Sequence, residues 1–351
     1  WLDGESDARS GTVPVCGKRV ARYLSGNLLE RPLLDLTGYF VLSLDAEPSV
    51  SVLDPAVNFS GRSSLQGAMQ LQGKGFDWIK TSDDMRLYVA LPNERRLAMA
   101  DLQTFKVLDH LVFSGQPTRL ALQPDERLLW VGTTGASEQE SAVEIIDTVT
   151  DKPVARLPLP MGYHEIVFSG DGRHVFVSNR QNRSLTIVDA ATLTIVRTLD
   201  LGYEPLGLVF TDKQALLWMV NAKDGKIHRY DERGHPVDSL MLDAGLGPIK
   251  LTPDARHVLV VNPAQHRLYV VDATDGKEKH RLTISGQPYD ILFSDQYAYI
   301  RTLQSEQIGM LSLTSLDAAQ PILKKIPAGA GVLADTRNLP RASSMALTLD
   351  R

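Results

Sequence analysis

The chain has one cysteine in 351 residues, Cys16, which excludes an internal disulfide and any cluster of cysteine-ligated metal. Long apolar runs are missing: none approaches the roughly 18 residues of a membrane-spanning helix. Basic charge is not in excess, since 37 Lys and Arg face 42 Asp and Glu for a net charge of −5. The field that gathers nucleic-acid phosphates or anionic lipid is therefore absent, and neither partner is expected. Catalytic signatures are absent as well. There is no CxxCH for covalent haem, no HExxH, no GxSxG, no P-loop and no GxGxxG after a strand. The segment DATDG (272–276) lacks the spacing and the closing Glu of a calcium loop. The chain opens on polar WLDGESDARSG, so no secretory signal is expected within it.

Helical periodicity is scarce. Val20, Leu24 and Leu28 share a helical spacing, but Gly26 and Pro32 cut it short. Residues 1–35 therefore read as an N-terminal arm, and 36–351 as the body.

From Leu36 onward the pattern has period two, the signature of strands with one face toward each neighbour. It is also a repeat. DGRHVFVSNRQNRSLTIVD at 171–189 returns as DARHVLVVNPAQHRLYVVD at 254–272. The Asp that closes the third strand of each copy falls at Asp54, Asp101, Asp147, Asp189, Asp231 and Asp272, with Ser312 next, at spacings of 47, 46, 42, 42, 41 and 40. A turn Asp falls at Asp84, Asp125, Asp171, Asp212, Asp254 and Asp295, at spacings of 41, 46, 41, 42 and 41. Two markers in phase at about 42 residues, with room for four short strands per period, predict propeller blades.

Full copies run from about 73 to 326, and a first blade is assembled from 342–351 plus 36–72. This predicts an all-β, seven-bladed β-propeller of four-stranded blades with "velcro" closure, in which the chain's two ends share a blade. Eight blades is the alternative, with Asp350 opening a further one. Residues 327–341, PAGAGVLADTRNLPR, break the period and read as an inserted loop.

The phrases VFVSNRQNRSLTIVDAATLTIVRTLDLG and VLVVNPAQHRLYVVDATDGKEKHRLTISGQP resemble the YVTN repeat of the cytochrome d1-like β-propeller superfamily. The likeness covers about 73–326. It departs from the pattern at GTTGASEQE in one copy, IRTLQSEQ in another and LPNERR in a third. That superfamily includes haem d1 domains, amine dehydrogenase heavy chains and sugar lactonases. The resemblance implies the fold and a periplasmic or extracellular setting, and leaves the chemistry open.

Propeller geometry narrows the search. The segment leading into strand one and the loop between strands two and three open on one face. The DGR turns lie on the other. Aligning the strand-one segments places Trp78, Arg119, Glu165, Gly207, Lys250, Asp290 and Ser344 on one ring. The next position is uniformly apolar: Ile79, Leu120, Ile166, Leu208, Leu251, Ile291 and Met345. Arg119, Glu165, Lys250 and Asp290 read either as a self-neutralising network or as a small-molecule or metal site, which His164 and Tyr289 would join. His164 and His266 are the candidate metal ligands. His174 and His257 read as repeat elements, and Trp130 and Trp218 as packing. The polar loops between strands two and three suit a protein partner.

These residues leave three functions open. One is a non-enzymatic binding scaffold that presents its loop-rich face to a protein or small ligand. The second is a cofactor-handling or redox protein of the haem d1 or amine-dehydrogenase kind. The third is a lactonase-like hydrolase using Glu165, Arg119 and a metal. No cofactor is specified by the sequence, with haem or a metal as the options.

Overall fold

The computed structural model describes residues 40–45, 47–53, 65–303, 307–327 and 345–348, all within one compact unit, Gly38–Arg351. The arm at 1–35, Cys16, Asp54, Glu306, most of the inserted loop at 327–341, Ser344 and Asp350 lie outside the described residues.

Among the described residues, twenty-eight strands form antiparallel four-stranded sheets. Six sheets are blades of consecutive strands. The first holds β4 (Asp77–Lys80), β5 (Arg86–Leu91), β6 (Arg96–Asp101) and β7 (Lys106–Val112). The second holds β8 (Gln116–Leu122), β9 (Leu128–Thr134), β10 (Ala142–Asp147) and β11 (Lys152–Pro158). The third holds β12 (His164–Phe168), β13 (His174–Asn179), β14 (Ser184–Asp189) and β15 (Thr194–Asp200). The fourth holds β16 (Pro205–Thr211), β17 (Leu216–Asn221), β18 (Lys226–Asp231) and β19 (Pro236–Met241). The fifth holds β20 (Ile249–Leu251), β21 (His257–Asn262), β22 (Arg267–Asp272) and β23 (Glu278–Thr283). The sixth holds β24 (Pro288–Phe293), β25 (Tyr297–Thr302), β26 (Gln307–Ser312) and β27 (Leu323–Pro327).

The remaining sheet is composite. Strands β1 (Phe40–Leu44), β2 (Ser49–Leu53) and β3 (Leu65–Gln70) are completed by β28 (Met345–Thr348), in the order β28-β1-β2-β3. The count expected from the sequence, seven blades with eight as the alternative, is corrected to six self-contained blades plus this composite sheet. No eighth sheet exists among the described residues, because β28 pairs antiparallel with β1, Val41 facing Leu347, and so caps an existing sheet edge.

The period-two pattern has a direct structural cause. Each hydrophobic core lies between blades rather than within one. Leu42, Leu44 and Val50 of the composite sheet pack with Trp78, Leu87 and Val89 of the first blade. The opposite face of that blade, Tyr88 and Leu97, packs with Leu120 and Leu129 of the second. Trp130 of the second blade meets Ile166 and Val175 of the third, and Trp218 of the fourth meets Ile249 and Val258 of the fifth. A central strand is thus apolar on both faces. The outermost strands are wet, as in β15, whose residues are almost all exposed.

The repeat markers also explain themselves. Asp189 Oδ1 accepts from the backbone N–H of Ala191 (3.0 Å) and Thr192 (2.7 Å) and from Thr192 Oγ1 (2.9 Å), which closes the turn from strand three to strand four. Asp101 and Asp147 do the same with Thr104 and Thr150. A short carboxylate two and three residues ahead of the N–H groups it binds is what such a turn demands. In the turn between strands one and two, the first blade uses Asp83 rather than Asp84. Asp83 takes the Met85 N–H at 3.0 Å, as Asp171 takes that of Arg173.

Candidate binding site at the inner rim

The strand-one segments contact one another from β4 to β8, β12, β16 and β20, and β24 contacts β21 and β28, so they line the inner rim. Strand register decides which residues share a level. Glu165 faces Ser178, Arg119 faces Gly132 and Asp290 faces Arg301, all equivalent positions on strand two.

Two expected members move. In the first blade Asp77 faces Ala90 at this level, and Trp78 faces Val89 one residue on. Trp78 is therefore buried in the core against the composite sheet, and Asp77 takes its place on the rim. The polar-to-apolar switch was the available signal: Trp78 belongs with the apolar ring of Leu120 and Ile166. In the fifth blade Lys250 faces Leu259, the level that Val167 takes against Phe176, so it stands two residues further along its strand than Glu165.

Asp77, Arg119 and Glu165 form one ionic chain across three blades. The Arg119 guanidinium donates to Asp77 Oδ2 at 3.3 Å and, on its other arm, pairs with Glu165 Oε2. Asp77 Oδ2 also accepts from the backbone N–H of Leu120 at 2.9 Å. The three side chains are between 13% and 23% exposed, so the pairing is partly shielded from water and matters more than a surface ion pair.

An aromatic pair flanks this chain. Phe76 precedes Asp77, and Tyr163 lies two residues before Glu165. Their rings stack with centroids 6.1 Å apart and planes 16° apart, reaching from the first blade to the third past the second. No sequence reading pairs them, since 87 residues separate them.

His164 is 2% exposed, and neither ring nitrogen finds a hydrogen-bond partner. It packs over Gly132 of the second blade. A Cβ there would lie 3.2 Å from the His164 Cβ and 3.3 Å from that of Arg119, so the glycine makes room for both. Burial pulls the His164 pKa down to about 4, against a smaller upward pull from the Ser178 backbone. The imidazole is therefore neutral at pH 7, the form that ligates a metal. His266 differs: its Nδ1 accepts the backbone N–H of Gln287 at 3.2 Å, ahead of the next blade.

On the far side of the ring, Tyr289 and Asp290 belong to a second polar group. Buried Arg301 donates from Nε to Tyr289 Oη at 3.1 Å. Asp45, at the end of β1, accepts from Ser49 (2.8 Å) and Ser51 (2.7 Å). Burial raises the Asp45 pKa, although its serine bonds and the charge of Arg301 oppose the shift.

The fit to a planar cofactor rests on this chain's own atoms. An orphaned, neutral imidazole, a stacked aromatic pair and a guanidinium converge within three adjacent blades. These are the donor types that a carboxylate-bearing, metal-centred macrocycle uses.

The sequence model of the family described as the cytochrome D1 heme domain matches residues 57–214, which contain Phe76, Asp77, Arg119, Tyr163, His164 and Glu165. Among curated proteins, Protein NirF of Pseudomonas aeruginosa is 26% identical over 136 residues, 39% of this chain and 33% of that protein. The zinc chaperone AztD of Citrobacter koseri is 23% identical over 175 residues, 46% of this chain and 42% of that protein. These matches thus span less than half of each relative's length. Among solved structures, the dihydro-heme d1 dehydrogenase NirN in complex with DHE superposes with a TM-score of 0.58 at 16% identity, covering 86% of this chain and 76% of that one. A functionally unknown protein from Desulfotomaculum acetoxidans superposes at 0.68 with 12% identity, covering 90% of this chain and 100% of that one. The likeness to solved structures is one of fold. Among the described residues, no helix is long and apolar enough to cross a membrane. Repeat, sheet topology and the match to the family model together support a cytochrome d1-like β-propeller.

Proposed function

We propose that this propeller binds a planar, metal-bearing tetrapyrrole at the inner rim, without a covalent bond, and carries or presents it to another protein. The stacked pair Phe76 and Tyr163 carries the reading. Tyr163 keeps 49% of its surface exposed and Met161, two residues earlier, 44%. A conjugated macrocycle docks on such a surface by stacking and burial of apolar area. Arg119 would meet the cofactor's carboxylates, and His164 is the side chain with a neutral nitrogen to offer its metal. Bound there, the group would supply its redox-active metal centre. The relatives NirN, a dihydro-heme d1 dehydrogenase, and AztD, a zinc chaperone, support a handling role for a metal-bearing species. A periplasmic or extracellular setting, and a protein partner on the loops between strands two and three, belong to the same proposal.

The test is titration of the purified full chain with haemin, followed at the Soret band. A saturable one-to-one shift is expected, weakened at least about tenfold by Tyr163→Ala, on the order of one base-stacking contact. No saturable change, or a shift indifferent to Tyr163→Ala, overturns the reading in favour of a scaffold that binds protein alone.

A further inference from the structure

We infer that Asp171, His174 and Glu232 form a divalent-cation site on the opposite face of the ring, in the class of Zn2+. Asp171 and His174 flank the turn between β12 and β13 of the third blade. Glu232 follows β18 of the fourth. One carboxylate oxygen from each acid and one ring nitrogen lie within 4.8 Å of one another. Two carboxylates and an imidazole from two chain segments are a zinc-type donor set, with water to complete the shell. Ligands of a tetrahedral zinc stand about 3.4 Å apart, so side-chain rotation of about an ångström closes the cluster.

A second observation is independent of the acids. The Nδ1 of His174 is shielded from solvent and has no hydrogen-bond partner, a feature it shares with the Nδ1 of His257. The repeat supplies an internal control. His257 holds the same position in the fifth blade, and there the seam is closed: its Nε2 contacts Asp317 Oδ1 at 3.2 Å, while Arg256 (2.7 Å) and Lys279 (2.8 Å) neutralise the same carboxylate. Around His174 the balance is reversed. Asp171 and Glu232 face it, Asp189 pairs with it across the strands, and Asp212 of the fourth blade lies against Gly170. Arg173 pairs with Asp171 at 3.5 Å through a side chain that is 81% exposed. One repeat position thus carries an ion pair in the fifth blade and an open donor cluster in the third. The sequence alone does not show this cluster, because Glu232 comes from another blade.

The site is separate from the inner rim, and its test does not depend on the haemin result. EDTA-stripped full chain is titrated with zinc sulfate by calorimetry. The native chain is expected to take one equivalent. Glu232→Gln and His174→Ala should each weaken that event at least about tenfold, the lower end of what even outer-shell partners of metal ligands cost. His257→Ala should bind as the native chain does. The melting temperature provides a second reading, with zinc raising it in the native chain and not in Glu232→Gln. Haemin titration of Glu232→Gln should match the native chain. The inference is overturned if the native chain takes no zinc, if Glu232→Gln and His174→Ala bind unchanged, or if His257→Ala loses binding equally.

Discussion

Asn179 fills the space that any side chain on Gly162 would need. A Cβ at that glycine would sit 2.2 Å from Asn179 Oδ1, and the glycine's φ of +144° is one that other residues rarely adopt. The asparagine amide donates to the carbonyls of Pro160 (2.9 Å) and Met161 (3.1 Å), and its oxygen accepts from Asn182 N. The repeat's conspicuous Asn is thus a clamp on the segment leading into strand one, the segment that carries Tyr163. Asn262 clamps Asp243 and Ala244 in the same way. Gly162→Ala is therefore expected to cost about 1–3 kcal/mol, the range for a residue forced into a sparsely populated backbone region. Denaturant unfolding measures that cost. Haemin affinity should fall with it, because Tyr163 is displaced.

Arg119→Ala strands two carboxylates at once. Asp77 and Glu165 are each less than 15% exposed, so their repulsion is only partly screened. A loss of about 1–3 kcal/mol is expected after discounting for solvent access. Adding Asp77→Asn to Arg119→Ala should recover part of the loss, which a double-mutant cycle reads directly.

His164 gives a pH signature. Its folded pKa of about 4 lies below the unfolded value near 6.5. Between those values the unfolded chain takes up a proton that the folded chain refuses. Stability therefore falls as pH drops from about 6.5 to 4, by about 3 kcal/mol in all. His164→Leu should flatten this window. It should not lower stability at pH 7, since it removes two buried nitrogens without partners. An unchanged pH profile in His164→Leu would refute the assignment.

The turn aspartates act in a lower window. Backbone hydrogen bonds first, then threonine hydroxyls, hold Asp147 and Asp189 below the usual carboxylate range, and the Lys279 bond, with the charges around it, brings Asp317 down to about 2. Depressed carboxylate values stabilise the fold above pH 4, and that contribution is lost as pH falls through the folded values. Asp317→Asn should be less stable than the native chain at pH 7, and the difference should shrink between pH 4 and 2 in urea titrations.

Register errors show how far the residues alone could be read. Blade period and turn positions were legible because Asp189 and its equivalents must stand at fixed offsets from the N–H groups they bind. The rim was half legible. Arg119, Glu165 and Asp290 share one level, but Trp78 and Lys250 stand one and two residues beyond it along their strands. A shift of one residue turns a side chain to the other face of a strand, which exchanged Asp77 for Trp78.

Local chemistry, then, was determined by the sequence: strands from alternation, turns from Asp and Gly, clamps from Asn, and from these a ring of sheets. What faces what across the ring was decided only by tertiary structure. Phe76 meets Tyr163, Arg119 bridges two blades, His174 meets Glu232, and β28 closes on β1. Local hydrogen bonds impose short, fixed spacings that recur in the chain. Contacts between blades join residues tens to hundreds of positions apart and leave no period to read.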